Sequence, residues 1–122
     1  MPILDVELVV DQNADIPDEL ARQLADATAT VFDSPAGRTW VRLRTLLLDR
    51  YSENGGAPAD LRPVFVAVTL ATLPELSERT DLAARLALAV AGVLERPVEH
   101  IHVFFEPPAA GRIAFGGNLV AE

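Results

Sequence analysis

The fold is decided by the stretch LARQLADATATVFDSPAGRTWVRL, residues 20–43, because the same pattern returns as LAARLALAVAGVLERPVEHIHVFF at residues 82–105. The two stretches match without a gap at a shift of 62 residues. A fixed shift of this kind indicates an internal repeat, so the chain is predicted to contain two fused units of the same structure. The matched pairs are Leu20 with Leu82, Ala21 with Ala83, Leu24 with Leu86, Val31 with Val93, Pro35 with Pro97, Val41 with Val103 and Leu43 with Phe105.

Each unit has the pattern of a strand, a helix and a second strand. Alternating apolar residues predict the strands, and apolar residues spaced by three or four predict the helices. Asp15 followed by Pro17 indicates the start of the first helix, and Thr72 with Glu75 has the spacing of a capping box at the start of the second. The predicted elements are strands at residues 3–10, 38–48, 63–70 and 100–106, helices at 15–32 and 72–94, and a hairpin within 110–120.

Two such units predict a single α+β domain. A right-handed crossover helix makes the two strands of each βαβ unit parallel. The simplest compact product is a four-stranded mixed sheet with both helices on one face, closed by the C-terminal hairpin. We place the repeats at about 1–51 and 62–122, with the turn-rich segment at about 52–61 as a linker.

The sheet face opposite the helices is predicted to be too apolar to remain in water. Large exposed apolar patches mark interaction sites, so we expect this face to be buried by self-association. Alternation along the strands does not give the number of subunits. The residues assigned to this face are Ile3, Val9, Trp40, Phe65 and Phe104, mixed with Arg42, Arg44, His100 and His102.

Composition restricts the class of partner and the chemistry. The chain of 122 residues has 10 basic and 18 acidic residues, a net charge of −8, which argues against nucleic acid or an anionic membrane as partner. It has no cysteine, so disulfides, thiolate nucleophiles and cysteine-bound metals are excluded. The sequence has neither a secretory signal pattern nor an apolar run long enough to span a bilayer, which predicts a cytoplasmic protein.

Pro2 is the candidate catalytic residue. If Met1 is removed, the chain begins with a secondary amine, which no internal proline can supply because its nitrogen is part of an amide. An α-amino group has a pKa of about 7.7–8.0, and an apolar pocket would lower that pKa towards the value that suits a general base near neutral pH. Pro63 repeats the position of Pro2 at the start of its strand, but it is internal and cannot act as a base.

Three features together resemble the tautomerase superfamily, in particular its 4-oxalocrotonate tautomerase-like members with fused units. These features are Met1-Pro2 before a strand, the duplicated βαβ unit, and the tail GRIAFGG at residues 111–117. The resemblance implies a homotrimer of two-unit chains with the sheets turned inward. It also implies a cofactor-independent isomerase whose amino-terminal proline is the general base. Its substrate would be a small 2-oxo acid, a 2-hydroxy-dienoate or an arylpyruvate-like carboxylate.

The resemblance gives a mixed result for the residues that would bind the substrate. The family's arginine at the end of the first strand falls at Gln12 and Pro74, so it is absent from both units, and its second-strand arginine falls at Trp40 and His102. The aromatic residue of the family's tail hairpin falls at Ile113. The substrate-binding candidates are therefore Arg38, Arg42 and Arg44 for the carboxylate or enolate, His102 as a second polar contact, and Trp40, Ile113 and Phe115 as the walls.

Other interpretations remain open at the level of sequence. The missing first-strand arginines keep a non-catalytic trimeric binding or structural protein as the alternative, and dehalogenase or hydratase chemistry of the same superfamily as a second one. The three strand arginines could instead serve contacts between subunits. His100 and His102 could form a zinc pair, but no third ligand lies near them in the sequence, so no metal is predicted.

Overall fold

The fold consists of the predicted four-stranded sheet, two helices and a terminal hairpin. The computed structural model describes residues 2–122. Short 3₁₀ turns at Leu48–Arg50 and Val98–His100 flank two of the strands. The main elements are β1 (Ile3–Val10), α1 (Leu20–Phe32), β2 (Trp40–Leu47), β3 (Val64–Thr69), α2 (Leu76–Leu94), β4 (Ile101–Phe105), β5 (Ala114–Phe115) and β6 (Asn118–Leu119).

The sheet preserves the repeat residue by residue. Its order is β2-β1-β3-β4, with β1 parallel to β2, β3 parallel to β4, and the two first strands antiparallel at the centre. Ile3 lies opposite Trp40, and Phe65 lies opposite His102, so the pairing registers of the two units differ by the same 62 residues as the sequence repeat. The mixed sheet and the predicted α+β fold class are thereby confirmed.

The helix ends repeat in the same way. α1 is followed by Asp33 at φ 51°, and α2 is followed by Glu95 at φ 54°. Both residues adopt the left-handed conformation that commonly ends a helix and that favours glycine. Within residues 2–122 they are the two non-glycine residues with positive φ. Two unusual backbone positions at equivalent places indicate that the units share their backbone and not only their apolar pattern.

The core lies between one face of the sheet and both helices. Every second residue of each central strand points into this layer, as the strand period requires. Leu24 of α1 and Leu86 of α2 are fully buried against them and occupy equivalent positions in the repeat. The other core residues include Leu4, Val6, Leu8 and Val10 of β1, Val64, Val66 and Val68 of β3, and Val90, Ala91 and Ile101.

Both helices begin later than the sequence predicts. α1 begins at Leu20 and not at Asp15, because the preceding chain forms a turn closed by the bond from the Leu20 N–H to the Pro17 carbonyl. α2 begins at Leu76, and its cap residue Glu75 makes no side-chain capping bond. The predicted capping box of Thr72 with Glu75 is therefore wrong.

The segment that enters α2 is held by other contacts. The Arg79 guanidinium donates to the Pro74 carbonyl at 3.2 and 2.9 Å. The carbonyls of Leu70 and Ala71 accept backbone bonds from residues 109 and 110 of the tail. These long-range bonds hold the chain in a non-helical path where local sequence favours a helix start.

Two residues assigned to the open face are not open on it. Val9 is fully buried within the single chain, and its N–H donates to the Pro63 carbonyl at 3.1 Å. Tyr51, which follows β2, packs on Phe65 of the same face at a ring distance of 5.9 Å. His100 belongs to the 3₁₀ turn before β4 and not to the strand, and it is half-buried with its Nδ1 enclosed. The open face is therefore smaller than predicted, although Trp40 and Phe104 remain half exposed on it.

No helix within residues 2–122 has both the length and the apolar character needed to cross a membrane.

Candidate active site

Pro2 lies where β1 begins, beside the first residues of β2. Its carbonyl accepts a hydrogen bond of 3.0 Å from the Trp40 N–H, which fixes the start of β1 against the edge strand. The residue is buried. The position predicted for the base is thus a buried strand end, which is the environment that lowers the pKa of an amine.

A cavity of about 250 Å³ adjoins this strand end. Two of its lining residues adjoin Pro2: Ile3 follows it in the chain and Trp40 is bonded to its carbonyl. Four walls are apolar or aromatic and one is cationic, so the cavity suits a small molecule with an apolar body and an anionic group. The lining residues are Ile3, Arg38, Trp40, Phe115 and Val120.

The aromatic walls are held in place by local contacts. The Trp40 ring meets the Phe115 ring edge to face, with centroids 5.3 Å apart, a geometry favoured by aromatic quadrupoles. The indole N–H donates to the Gly37 carbonyl at 3.0 Å. Gly37 has φ 81°, which allows the tight turn that brings this carbonyl under the indole. The tail hairpin is therefore packed over the cavity through Phe115.

The three candidate arginines differ in their partners. Arg42 donates to both oxygens of Asp5 at 2.5 and 2.9 Å, and this bond raises its pKa further above the ordinary value. Arg44 lies opposite Glu7 in the parallel register and does not line the cavity. Arg38 is exposed, and its guanidinium has no hydrogen-bond or ion-pair partner within residues 2–122; only its backbone N–H is bonded, to the Pro35 carbonyl at 3.1 Å. Of the three, Arg38 alone is both in the cavity and uncommitted.

Two predicted contacts do not reach this cavity within one chain. His102 lies on β4, at the opposite edge of the sheet, where its ring is 5.5 Å from Phe65. Ile113 is half-buried and anchors the hairpin, since its carbonyl accepts from the Val120 N–H at 2.9 Å. Arg112 likewise holds the tail by donating to the carbonyls of Pro107 and Pro108.

The sequence analysis did not predict two of the residues that line the cavity, Ile3 and Val120. Ile3 was assigned to the open face and not to a pocket, although its position next to Pro2 indicates that it would line any cavity at the candidate base. Val120 could have been found from the hairpin, because pairing of Ala114 with Leu119 returns the chain end to the level of Ile113.

The predicted equivalence of Pro63 with Pro2 is wrong by one residue. The pairing registers make Val64 the counterpart of Pro2, because Phe65 is the counterpart of Ile3. Pro63 is fully buried, and its carbonyl accepts a bond of 3.1 Å from the Val9 N–H. The second unit therefore has a strand-forming valine where the first has the candidate base.

Across the described part of the chain, residues 2–122, no cluster of three or more histidine, aspartate or glutamate side chains is placed to hold a metal ion.

Comparison with known proteins identifies the fold. No protein-family model and no curated protein matches the sequence. Among solved structures, a native fused 4-OT (4-oxalocrotonate tautomerase) is 26% identical, with 96% of this chain and 94% of that chain covered and a TM-score of 0.65. A fused 4-OT solved as a symmetric trimer is 19% identical over 98% of this chain and 95% of that chain, with a TM-score of 0.74.

A third structure is that of a protein inactivated by 2-oxo-3-pentynoate. It is 18% identical, covers 98% of this chain and 95% of its own, and has a TM-score of 0.74. All three match over nearly the full length of both chains. With the repeat, the sheet order and the hairpin already established, the chain has the fold of the tautomerase superfamily in its form with two fused βαβ units.

Proposed function

We propose that the protein is a cofactor-independent tautomerase in which Pro2, freed by removal of Met1, is the general base. The observation that carries this proposal is the apolar cavity at the start of β1, with one uncommitted cation, Arg38, in its wall. A base needs a pKa near the working pH, and burial of an amine lowers its pKa towards that range.

The residues around the cavity suit a 2-oxo acid with an apolar or aromatic body. Arg38 binds the carboxylate or the enolate oxygen, because a guanidinium forms charge-assisted bonds with planar anions. Trp40 and Phe115 contact the apolar body. The Pro2 nitrogen accepts a proton from the enol oxygen or from the carbon next to the carbonyl, and the same proton returns at the other atom, so no redox partner is required.

The substrate class follows from the number of free cations. Arg38 is the one cationic residue in the cavity wall, and Arg42 is paired with Asp5 outside it, so the cavity offers a single arginine for anionic groups. A monocarboxylate such as an arylpyruvate is therefore favoured over a dicarboxylic dienoate.

The protein is further proposed to be a homotrimer. The open sheet face keeps Trp40 and Phe104 about half exposed, which is costly in water. Sedimentation of the purified chain measures the assembly, and a monomer at micromolar concentration would contradict it. The solved trimer of a fused 4-OT supports this assembly for a chain of the same fold.

The proposed activity is tested in two steps. Mass spectrometry of the purified chain establishes whether it begins at Pro2. Ketonisation of phenylpyruvate enol and of 2-hydroxymuconate is then measured on wild type and Pro2→Ala, and equal rates for the two proteins would sink the proposal. Treatment with 2-oxo-3-pentynoate, which inactivates one structural neighbour, is expected to add its mass to the amino-terminal peptide only when Pro2 is free.

The non-catalytic alternative is favoured by one observation, the pairing of Arg42 with Asp5, which leaves few cations for catalysis. A trimer with a free Pro2 that binds phenylpyruvate in calorimetry without turning it over would establish that alternative.

A further inference from the structure

A buried hydroxyl without a partner lies next to Pro2. Thr39 is 9% exposed, and its Oγ1 atom is enclosed but has no hydrogen-bond partner within residues 2–122. Buried hydroxyls almost always have a partner, so such an atom requires an explanation.

The sheet register places Thr39 beside Pro2, the candidate base. Ile3 is paired with Trp40, so extending the parallel pairing by one residue puts Thr39 beside Pro2. The bond from the Trp40 N–H to the Pro2 carbonyl fixes this register. Pro2 and Thr39 are both buried, whereas Arg38 and Trp40, on either side of Thr39, are exposed.

The missing partner has a chemical explanation. While Met1 is attached, the Pro2 nitrogen is a tertiary amide that has neither a hydrogen to donate nor a basic lone pair. Removal of Met1 turns it into a secondary amine with one N–H and one lone pair. The hydroxyl then has a neighbour that can donate to it.

We propose that Thr39 is a positioning residue for Pro2: its hydroxyl oxygen accepts a hydrogen bond from the free amine and so directs the lone pair of the amine into the cavity. This inference rests on the proposed role of Pro2. When the amine takes a proton from the substrate, the bond to Thr39 is retained and becomes charge-assisted, which strengthens it. Thr39 therefore raises the pKa of Pro2, opposing the lowering caused by burial.

Other charged groups also lie at this end of the sheet, and the variants below leave them in place. They include Arg38 before β2, Asp33 in the preceding loop, Asp5 of β1 with its partner Arg42, Arg79 at the start of α2, Glu106 after β4, and Arg112 and Glu122 in the tail.

The test measures the titration of Pro2 directly. The protein is labelled with ¹³C-proline, mass spectrometry confirms that it begins at Pro2, and the ¹³C shifts of the Pro2 ring are followed with pH. Thr39→Val keeps the shape and removes the hydroxyl, so its midpoint is expected to fall by roughly half to one pH unit. The midpoint of Thr39→Ala is expected to fall in the same way, and the midpoint of Thr39→Ser is expected to remain near that of the wild type.

The matched control is Thr28→Val, which removes another buried hydroxyl, bonded to the Leu24 carbonyl at 2.7 Å in α1, and is expected to leave the midpoint unchanged. An unchanged or raised midpoint in Thr39→Val and Thr39→Ala overturns the inference.

The titration does not depend on turnover, so the two proposals fail separately. A shifted midpoint in a protein without tautomerase activity keeps the role of Thr39 and removes the enzyme. Tautomerase activity together with an unshifted midpoint keeps the proposed enzyme and removes the role of Thr39. A chain that keeps Met1 overturns both.

Discussion

The two βαβ units share a backbone but differ at the ends where their first strands begin. In the first unit the strand starts with Pro2, and Arg38 and Trp40 enclose a cavity with the tail. At the equivalent places the second unit has Val64, His100 and His102, where the valine nitrogen is an ordinary amide. The repeat thus preserves the core of both units, whereas the proposed chemistry belongs to one end only.

The largest effect is expected from removing the base. Pro2→Ala should lower kcat/KM for phenylpyruvate tautomerisation by roughly 10²–10⁴-fold, the usual contribution of a general base. Pro63→Ala is the matched control, because Pro63 is buried at the start of the second unit and is proposed to have no chemical role. A comparable loss of kcat/KM in a folded Pro63→Ala protein would break the comparison between the units.

Equivalent core positions should instead respond alike. Leu24 and Leu86 are both fully buried and are related by the repeat. Leu24→Ala and Leu86→Ala should each lower the free energy of unfolding by about 2–5 kcal/mol, because each leaves a cavity between helix and sheet. Urea denaturation measures both values. A cost confined to one of the two leucines would mean that the units differ in packing as well as in chemistry.

A smaller effect is expected at the cationic wall. Arg38→Gln should lower kcat/KM by roughly ten- to a hundredfold, the equivalent of one hydrogen bond to a charged group, mainly through KM. Arg42→Gln should change it much less, because Arg42 is bonded to Asp5 outside the cavity. Steady-state kinetics on the two variants decides the assignment, and the opposite order would move the carboxylate site to the open face.

The smallest effect is expected from breaking the ion pair between Asp5 and Arg42. Asp5→Asn removes the partner of Arg42, whose side chain is largely exposed, and exposed pairs contribute little to stability. The urea midpoint should therefore change little. Because Arg42 lies outside the cavity, the ratio of kcat/KM for 2-hydroxymuconate and phenylpyruvate should also stay near the wild-type value. A clear shift of this ratio towards 2-hydroxymuconate would contradict the assignment of Arg38 as the single cation of the site.

The elements that could be predicted are those set by periodicity. Apolar periodicity predicted the strands and helices, and the repeat at a shift of 62 predicted the sheet of two units. The resemblance to the tautomerase superfamily supplied Arg38, Trp40 and Phe115 among the substrate-binding candidates, and these three line the cavity. The predicted start of α1 was wrong because long-range packing decides the path of the chain after β1. This packing includes the contact of Ile16 with the core.

The sequence analysis did not predict which carboxylates pair with the candidate arginines, although the strand register implies one of these pairs. Asp5 and Arg42 face each other across β1 and β2 once Ile3 is set opposite Trp40, but the sequence offers more than one register. The burial of Val9 and the packing of Tyr51 on Phe65 were not predicted either, because both depend on residues distant in sequence that no local pattern describes. Long-range pairing therefore places Arg38 in the cavity wall and leaves Arg42 and Arg44, which were proposed with it, outside that wall.

The antiparallel pairing of β1 with β3 separates the two unit ends. Ile3 is paired with Thr69, and Val64 with Leu8, so the starts of the two first strands lie at opposite ends of the sheet, roughly 17 Å apart at the usual rise per residue. This distance exceeds the Debye length of about 8 Å at physiological salt. Charge changes around Val64 are therefore largely screened from Pro2, so the second unit can diverge in evolution without changing the pKa of the base proposed in the first.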